Sequence, residues 1–96
     1  MEGNKTDTKS KFIYIPKRLA EYSRELKPNV YKIYLTLVNE CIKNNSNKTF
    51  IEDVEILDIT GLSIPTITRA LSNLEKHDFI KRKRIGRQRK ITLLDY

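Results

Sequence analysis

The chain has 96 residues, with 19 lysines and arginines against 12 aspartates and glutamates, for a formal net charge of +7. This length gives one domain with a core of its own and leaves no room for a second. No apolar run approaches the roughly 20 residues that span a bilayer, and no signal peptide opens the chain. A single cysteine, Cys41, excludes an internal disulfide. We therefore expect a cytoplasmic protein that does not bind membranes.

The N-terminal segment divides into a tail and the start of the domain. Residues 1–11 are polar with mixed charge and predict a disordered tail, which leaves residues 12–96 as a single domain. The apolar run Phe12–Ile15 ends at Pro16, which predicts extended backbone followed by the first turn of a helix. That helix ends at residues 27–28, and three residues form its apolar side: Leu19, Tyr22 and Leu26.

A second helix is predicted over residues 29–44, and its apolar face is unusually wide. On a helical wheel the apolar side chains cover about 200°, whereas a surface helix usually shows about half that width. The helix is therefore either central to the core of the subunit or shared with a second subunit. We expect a homodimer, with these interface residues: Val30, Tyr31, Tyr34, Leu35, Val38 and Ile42.

Residues 44–60 predict a turn, a brief strand over 48–51 and a short helix over 52–60. Val54 and Leu57 are expected to point inward, with Ile56 and Ile59 beside them. Three acidic residues cluster near the start of the helix, where carboxylates favour the positive end of its dipole: Glu52, Asp53 and Glu55. They have no histidine or cysteine beside them, so we expect a structural role and not a catalytic one.

Gly61 fits the left-handed end of the short helix, and Ser63 can cap the start of a longer one that runs to about His77. Ile67 and Leu71 belong to the apolar face of this longer helix, together with Ile64, Ala70 and Leu74. The opposite, polar face contains no acidic residue. It consists of Pro65, Arg69, Ser72, Asn73 and Lys76, flanked by Thr66 and Thr68.

The segment Lys81–Lys90 concentrates the positive charge of the chain. Seven of its ten residues are lysine or arginine, and without them the chain has 12 basic and 12 acidic residues. Its pattern predicts two strands, 79–85 and 88–94, joined around Gly86-Arg87. A solvated charge run is the alternative, but apolar residues on both sides connect this segment to folded structure. The segment therefore predicts a polyanionic partner.

Residues 51–94 resemble the winged helix-turn-helix superfamily of DNA-binding proteins. The resemblance rests on Gly61 in the turn, the Leu74-Glu75-Lys76 helix exit, Phe79-Ile80 entering a strand and a basic hairpin that turns at Gly86. Ile67 and Leu71 inside the second helix also match. The resemblance implies an α+β, mainly α fold: a winged helix-turn-helix with two additional N-terminal helices and a C-terminal β-hairpin wing.

The opening FIYIPKRL, the tyrosine-rich second helix and the Asn/Lys/Ile-rich composition look like proteins of Gram-positive plasmids and phages. This narrower resemblance implies a protein that marks an origin of replication, a partition site or a conjugative-transfer site, together with other DNA-processing proteins. A small transcriptional regulator is the alternative. The chain departs from the superfamily at two positions. Asp78 replaces a frequent glycine, and Leu57 replaces a frequent alanine, which would open the angle between the two helices.

Double-stranded DNA is thus the expected partner. In the usual arrangement the second helix lies in the major groove, and the wing contacts the backbone or minor groove. Arg69 could read guanine and Asn73 adenine. Because the helix has two cations and the wing has seven, we expect the wing to supply most of the binding energy. The predicted contacts are Ser63, Pro65, Thr66, Thr68, Arg69, Ser72, Asn73 and Lys76 in the helix, and Lys81, Arg82, Lys83, Arg84, Arg87, Gln88, Arg89 and Lys90 in the wing.

Other function classes have little support in the sequence. The one histidine, His77, is far from Cys41, so neither a nucleophilic triad nor a metal site can be assembled from them. We expect no enzymatic activity, no metal and no cofactor. An RNA-binding module would need exposed aromatic residues for stacking, and the predicted contact faces have none. A module that binds proteins or membrane surfaces through the basic hairpin is a further alternative.

Overall fold

The computed structural model describes residues 18–94, which form four helices and one three-stranded antiparallel sheet. In chain order the elements are α1 (Leu19–Glu25), α2 (Pro28–Lys43), β1 (Lys48–Phe50), α3 (Asp53–Thr60), α4 (Ile64–Lys76), β2 (Ile80–Ile85) and β3 (Gln88–Leu93). The predicted tail, the extended run Phe12–Ile15 and the helix start at Pro16 lie outside the described residues. The α+β, mainly α fold class expected from the sequence is confirmed.

Helix α2 lies at the centre of the core. Its inward side chains Ile33, Tyr34 and Leu37 are fully buried, and Tyr34 packs edge-on against the rings of Tyr22 and Phe79. Of the two alternatives that the sequence leaves for the wide apolar face, a central position in the core or a contact with a second subunit, the first accounts for these buried residues. Tyr34 and Val38 are therefore core residues of the subunit and are not available for a dimer interface. The other predicted interface residues are half-buried: Val30, Tyr31, Leu35 and Ile42.

Helix α3 is rotated relative to the prediction. Ile56 and Thr60 are the buried residues of this helix, whereas Val54 is 63% exposed and Ile59 is 54% exposed. The sequence interpretation counted only apolar residues as inward. Thr60 can be buried because its hydroxyl donates to the Ile56 carbonyl at 2.8 Å, which satisfies the polar group. The expectation that Val54 points inward is wrong, and Leu57 is only partly buried.

The link between α3 and α4 forms as predicted. Gly61 has a φ of 75°, and its N–H donates to the Leu57 carbonyl at 2.7 Å, which ends α3 in a left-handed residue. Ser63 then caps α4, because its Oγ accepts from the Thr66 N–H at 3.3 Å. Helix α4 packs against both α2 and α3, so the helix-turn-helix is fixed to the core.

β3 is the central strand of the sheet, with β1 on one side and β2 on the other. The register places Thr49 and Arg82 on either side of Ile91, and Phe50 and Lys83 on either side of Lys90. Successive side chains of a strand point to opposite faces, so each trio occupies one face of the sheet. Thr49 and Ile91 are buried, which identifies their face as the inner one, packed toward the helices.

Candidate nucleic-acid interface

The polar face of α4 is exposed to solvent. Ser63 and Thr66 are engaged in the helix cap, where their hydroxyls are 2.9 Å apart. The remaining polar side chains of the face point outward without a carboxylate among them: Thr68, Arg69, Ser72, Asn73 and Lys76. Pro65 is also exposed and occupies the first turn, where helices tolerate proline. The face therefore offers hydroxyl, amide and cationic donors at one exposed surface.

An open groove runs beside this face, with the junction between α1 and α2 as its second wall. Arg69, Asn73 and Lys76 line one side of the groove, and Lys27 and Asn29 line the other. Lys27 and Asn29 were not among the predicted site residues. No local signal identified them, because only the packing of α2 against α4 brings this corner to the groove. Lys27 adds a cation to the candidate site.

The strand register divides the cations of the wing into two sets. Arg82, Arg84 and Arg89 lie on the inner face with Ile91, whereas Lys81, Lys83 and Lys90 lie on the outer face. Arg87 follows Gly86 in the turn that joins the strands, and Gly86 has a φ of 61°. The alternating lysines and arginines of this segment thus have different surroundings.

Arg82 is bound by the C-terminal turn of α4. The Glu75 carboxylate accepts from Nε at 3.0 Å, from Nη2 at 2.8 Å and from the backbone N–H of Arg82 at 3.2 Å. The guanidinium hydrogen bond is the main cause that lowers the pKa of Glu75 below its ordinary value. This contact fixes the base of the wing to the end of α4.

Arg84 and Arg89 are bound by the N-terminus of α3. Glu52 accepts from the backbone N–H of Arg89 at 2.9 Å and from the Arg84 guanidinium at 3.2 and 3.3 Å. The backbone hydrogen bond is the largest cause that lowers the pKa of Glu52. The Arg89 guanidinium forms an ion pair with Asp53 at 2.7 Å and donates to the Ile51 carbonyl at 3.1 Å. Only 11% of the Arg89 side chain is exposed.

These contacts correct two expectations. The acidic residues of α3 do more than favour the helix dipole, because Glu52 and Asp53 bind the wing. Arg89, a predicted DNA contact of the wing, has a mostly buried side chain that is paired with Asp53. Within residues 18–94, four wing cations have no ion-pair partner: Lys81, Lys83, Arg87 and Lys90. The predicted ratio of seven wing cations to two helix cations therefore becomes four to two.

Two solved structures share this arrangement of helices and hairpin. One is TubR bound to 24 bp of tubC from Bacillus thuringiensis serovar israelensis pBtoxis, with a TM-score of 0.59, 20% identity, and coverage of 83% of this chain and 84% of the other. The second is a mutant of the type III plasmid segregation protein TubR, with a TM-score of 0.58, 19% identity, and coverage of 85% and 82%. The chain has a winged helix-turn-helix fold.

Comparison of amino-acid sequences identifies a relative of this chain. An uncharacterized protein from Methanocaldococcus jannaschii is 33% identical over 81 residues. The match covers 80% of this chain but only 17% of that relative, so the chain spans about a sixth of the curated protein it matches. No family model matches the chain.

Residues 18–94 contain no group of three histidine, cysteine or acidic side chains placed to hold a metal ion. None of their helices has both the length and the apolar composition needed to cross a membrane.

Proposed function

We propose that this protein binds double-stranded DNA in a sequence-specific manner and marks a site on a plasmid or other mobile element. The observation that carries the proposal is the exposed, acid-free face of α4 next to a basic hairpin that Glu75 holds in place. On this face Arg69 has the donors to read guanine in bidentate fashion, and Asn73 has a donor and an acceptor for adenine. Base contacts of this kind supply specificity.

The wing supplies the electrostatic part of the binding. Lys81, Lys83, Arg87 and Lys90 have no internal ion-pair partner among the described residues, so their charges are available for phosphates. Arg87 lies in the turn at the tip of the wing, from which its side chain could enter a narrow minor groove of the DNA. Lys27 and Lys76 add charge along the groove beside α4. With four available cations against two, the wing remains the larger source of phosphate contacts.

Among the possible roles at a mobile element, similarity to plasmid-segregation proteins supports partition over replication or conjugative transfer. In that role the bound site recruits other DNA-processing proteins in the cytoplasm, and no enzymatic step is required of this chain. A small transcriptional regulator is the second candidate, because the same α4 face and wing would serve a repressor. A plasmid-loss assay separates the two, since deletion of the gene raises the loss rate without changing transcription only if the protein acts in partition.

We further propose that the protein is a homodimer. Tyr34 and Val38 are buried inside the subunit, so the contact is assigned to apolar groups that remain accessible near the end of α2. Ile42 and the half-exposed Ile59 lie around one surface depression between α2 and α3. Sedimentation should give twice the monomer mass, and Ile59→Asp should shift the protein to monomer. Val54→Asp is the matched control, because Val54 is equally apolar and exposed. A monomer at all concentrations, free and on DNA, would refute the dimer.

Sequence selection from a random duplex library, followed by fluorescence anisotropy, tests the main proposal. Arg69→Ala and Asn73→Ala should each weaken binding to the selected duplex by about 1–3 kcal/mol and leave binding to random duplex nearly unchanged. Duplex RNA of the same sequence should compete poorly, because its deep major groove does not admit a helix. If no sequence is enriched, or both variants bind the selected duplex like the parent, sequence-specific reading by α4 is excluded.

A further inference from the structure

The outer face of the sheet is a second charged surface, distinct from the face of α4. Four lysines project from this face, drawn from all three strands: Lys48, Lys81, Lys83 and Lys90. The other outer-face positions of the paired strands are Phe50, Ile85, Gln88 and Thr92, so the register places no carboxylate there. The inner face that packs toward the helices is opposite.

Phe50 lies within this lysine field and is 48% exposed. It is opposite Lys90, whose other neighbour across the sheet is Lys83. Cross-strand neighbours have Cβ atoms about 5 Å apart, so both ammonium groups can reach a ligand that contacts the Phe50 ring. Within residues 18–94 the aromatic contacts join Tyr22, Tyr34 and Phe79, and none includes Phe50.

A DNA duplex does not account for both features of this face. Duplex phosphates would satisfy the lysines, but duplex bases are stacked on one another and leave no open ring surface for Phe50. A single strand offers both groups, since its bases can stack on an aromatic side chain while its phosphates meet cations. All the cations of this face are lysines. A lysine is a mobile point charge, so it can contact the phosphates of a flexible strand without a fixed geometry.

We infer that the outer face of the sheet binds single-stranded nucleic acid, with Phe50 stacking on a base and the lysines contacting phosphates. Lys83 and Lys90 would contact the phosphates next to the stacked base, and Lys48 and Lys81 would extend the path along the sheet. This site goes beyond the proposed duplex binding and uses none of the α4 residues. Because Lys81, Lys83 and Lys90 are also proposed to contact duplex phosphates, a duplex and an unpaired strand would compete for these lysines.

Anisotropy of a fluorescein-labelled oligo-dT of about 12 nucleotides tests the inference, because known single-strand sites on protein domains take up about 4–16 nucleotides. Phe50→Leu is the decisive variant, because leucine keeps an apolar side chain of similar size and removes only the aromatic ring. We expect oligo-dT binding to weaken about tenfold in this variant and to be retained in Phe50→Tyr. Binding of the selected duplex should stay within twofold of the parent in both.

The charge contribution has its own variant and control. Lys83→Gln with Lys90→Gln should weaken oligo-dT binding and flatten its salt dependence, because two phosphate contacts are lost. Lys43→Gln removes an exposed lysine from α2 and should have little effect. Thermal melting of all variants should match the parent. The double lysine variant keeps the test decisive if Phe50→Leu folds poorly.

Three results would overturn the inference. Oligo-dT binding that is equal in the parent, Phe50→Leu and the double lysine variant would show that this face is not the site. Weakening of duplex binding by Phe50→Leu as large as its weakening of oligo-dT binding would show that the ring does not distinguish a stacked base of a single strand. Stronger binding of an oligo-glutamate peptide than of oligo-dT, unaffected by Phe50→Leu, would assign the face to an acidic protein segment. Loss of duplex specificity alone would refute the proposed function and leave this site intact.

Discussion

The Glu75 carboxylate, on the last turn of α4, accepts hydrogen bonds from both the guanidinium and the backbone N–H of Arg82 in β2. One side chain thereby fixes the direction in which the wing leaves the helix proposed to read DNA. Glu52 makes a similar pair of contacts from α3, to the backbone of Arg89 and the side chain of Arg84. The wing is therefore held by both helices of the helix-turn-helix, by α4 at Arg82 and by the N-terminus of α3 at Arg84 and Arg89, one residue pair from the hairpin turn.

Removal of the contact between Glu75 and Arg82 should uncouple the wing from α4. Glu75→Ala is expected to lower the free energy of unfolding by only about 1 kcal/mol, because the pair is partly exposed to solvent. The variant should lose duplex affinity by a larger factor than this change in stability explains, since the wing is no longer held in position. Asp58→Ala removes an exposed acid from α3 and serves as the control. Equal DNA binding by the two variants would show that the contact does not position the wing.

The same two carboxylates predict a dependence of stability on pH. The folded-state pKa values of Glu75 and Glu52 are lowered, so the unfolded chain binds more protons in the acidic range and stability rises with pH there. Their contribution is fully present above the unfolded value of about 4.3 and is lost as the pH falls through the folded values. Thermal melting between about pH 2 and 6 should therefore be flatter for the variant Glu52→Gln with Glu75→Gln than for the parent. Parallel curves would contradict this account.

Arg87 and Arg89 are two residues apart, but substitution of Arg87 should affect DNA binding, whereas substitution of Arg89 should affect the stability of the fold. Arg87→Ala should leave the melting temperature unchanged and reduce the salt slope of duplex binding by about one, the value for one phosphate contact. Arg89→Ala leaves Asp53 without its partner and should lower the free energy of unfolding by about 3 kcal/mol. Melting curves and salt titrations of both variants test this. An Arg89→Ala protein with parental stability would refute the structural role assigned to Arg89.

Gly61 allows a test of the turn between α3 and α4. Its φ is 75°, and a Cβ added there would meet no atom within 4 Å, so substitution costs backbone strain without a steric clash. Gly61→Ala should therefore destabilise the protein by about 1 kcal/mol. Gly61→Asn should cost less, because asparagine tolerates the left-handed conformation. Chemical denaturation of the two variants measures the difference, and equal stability would show that φ does not govern this position.

The sequence alone was sufficient to predict the elements built from local signals. Gly61 and Ser63 marked the turn and the start of α4, and the spacing of Ile67 and Leu71 identified its buried face. Gly86 marked the hairpin turn. Each of these signals acts over a few residues, through backbone conformation, capping or helical periodicity. It can therefore be recognised in the amino-acid sequence alone. The assignment of individual residues to DNA contacts remains a prediction.

Only the tertiary structure decided which cations of the wing are free of internal ion pairs and so available for DNA phosphates. The alternation of lysine and arginine in the wing implies two faces, but only packing shows that the arginines face inward. Arg84 and Arg89 are bound by Glu52 and Asp53, which lie more than 30 residues away in the chain, where no local pattern connects them to the wing. The rotation of α3 was also decided by tertiary packing, because the Thr60–Ile56 hydrogen bond lies within the helix but the contacts with α2 and α4 select which face is buried. Pairing between distant charges and the choice of the buried face of a helix depend on the whole fold, because neither is encoded within one element.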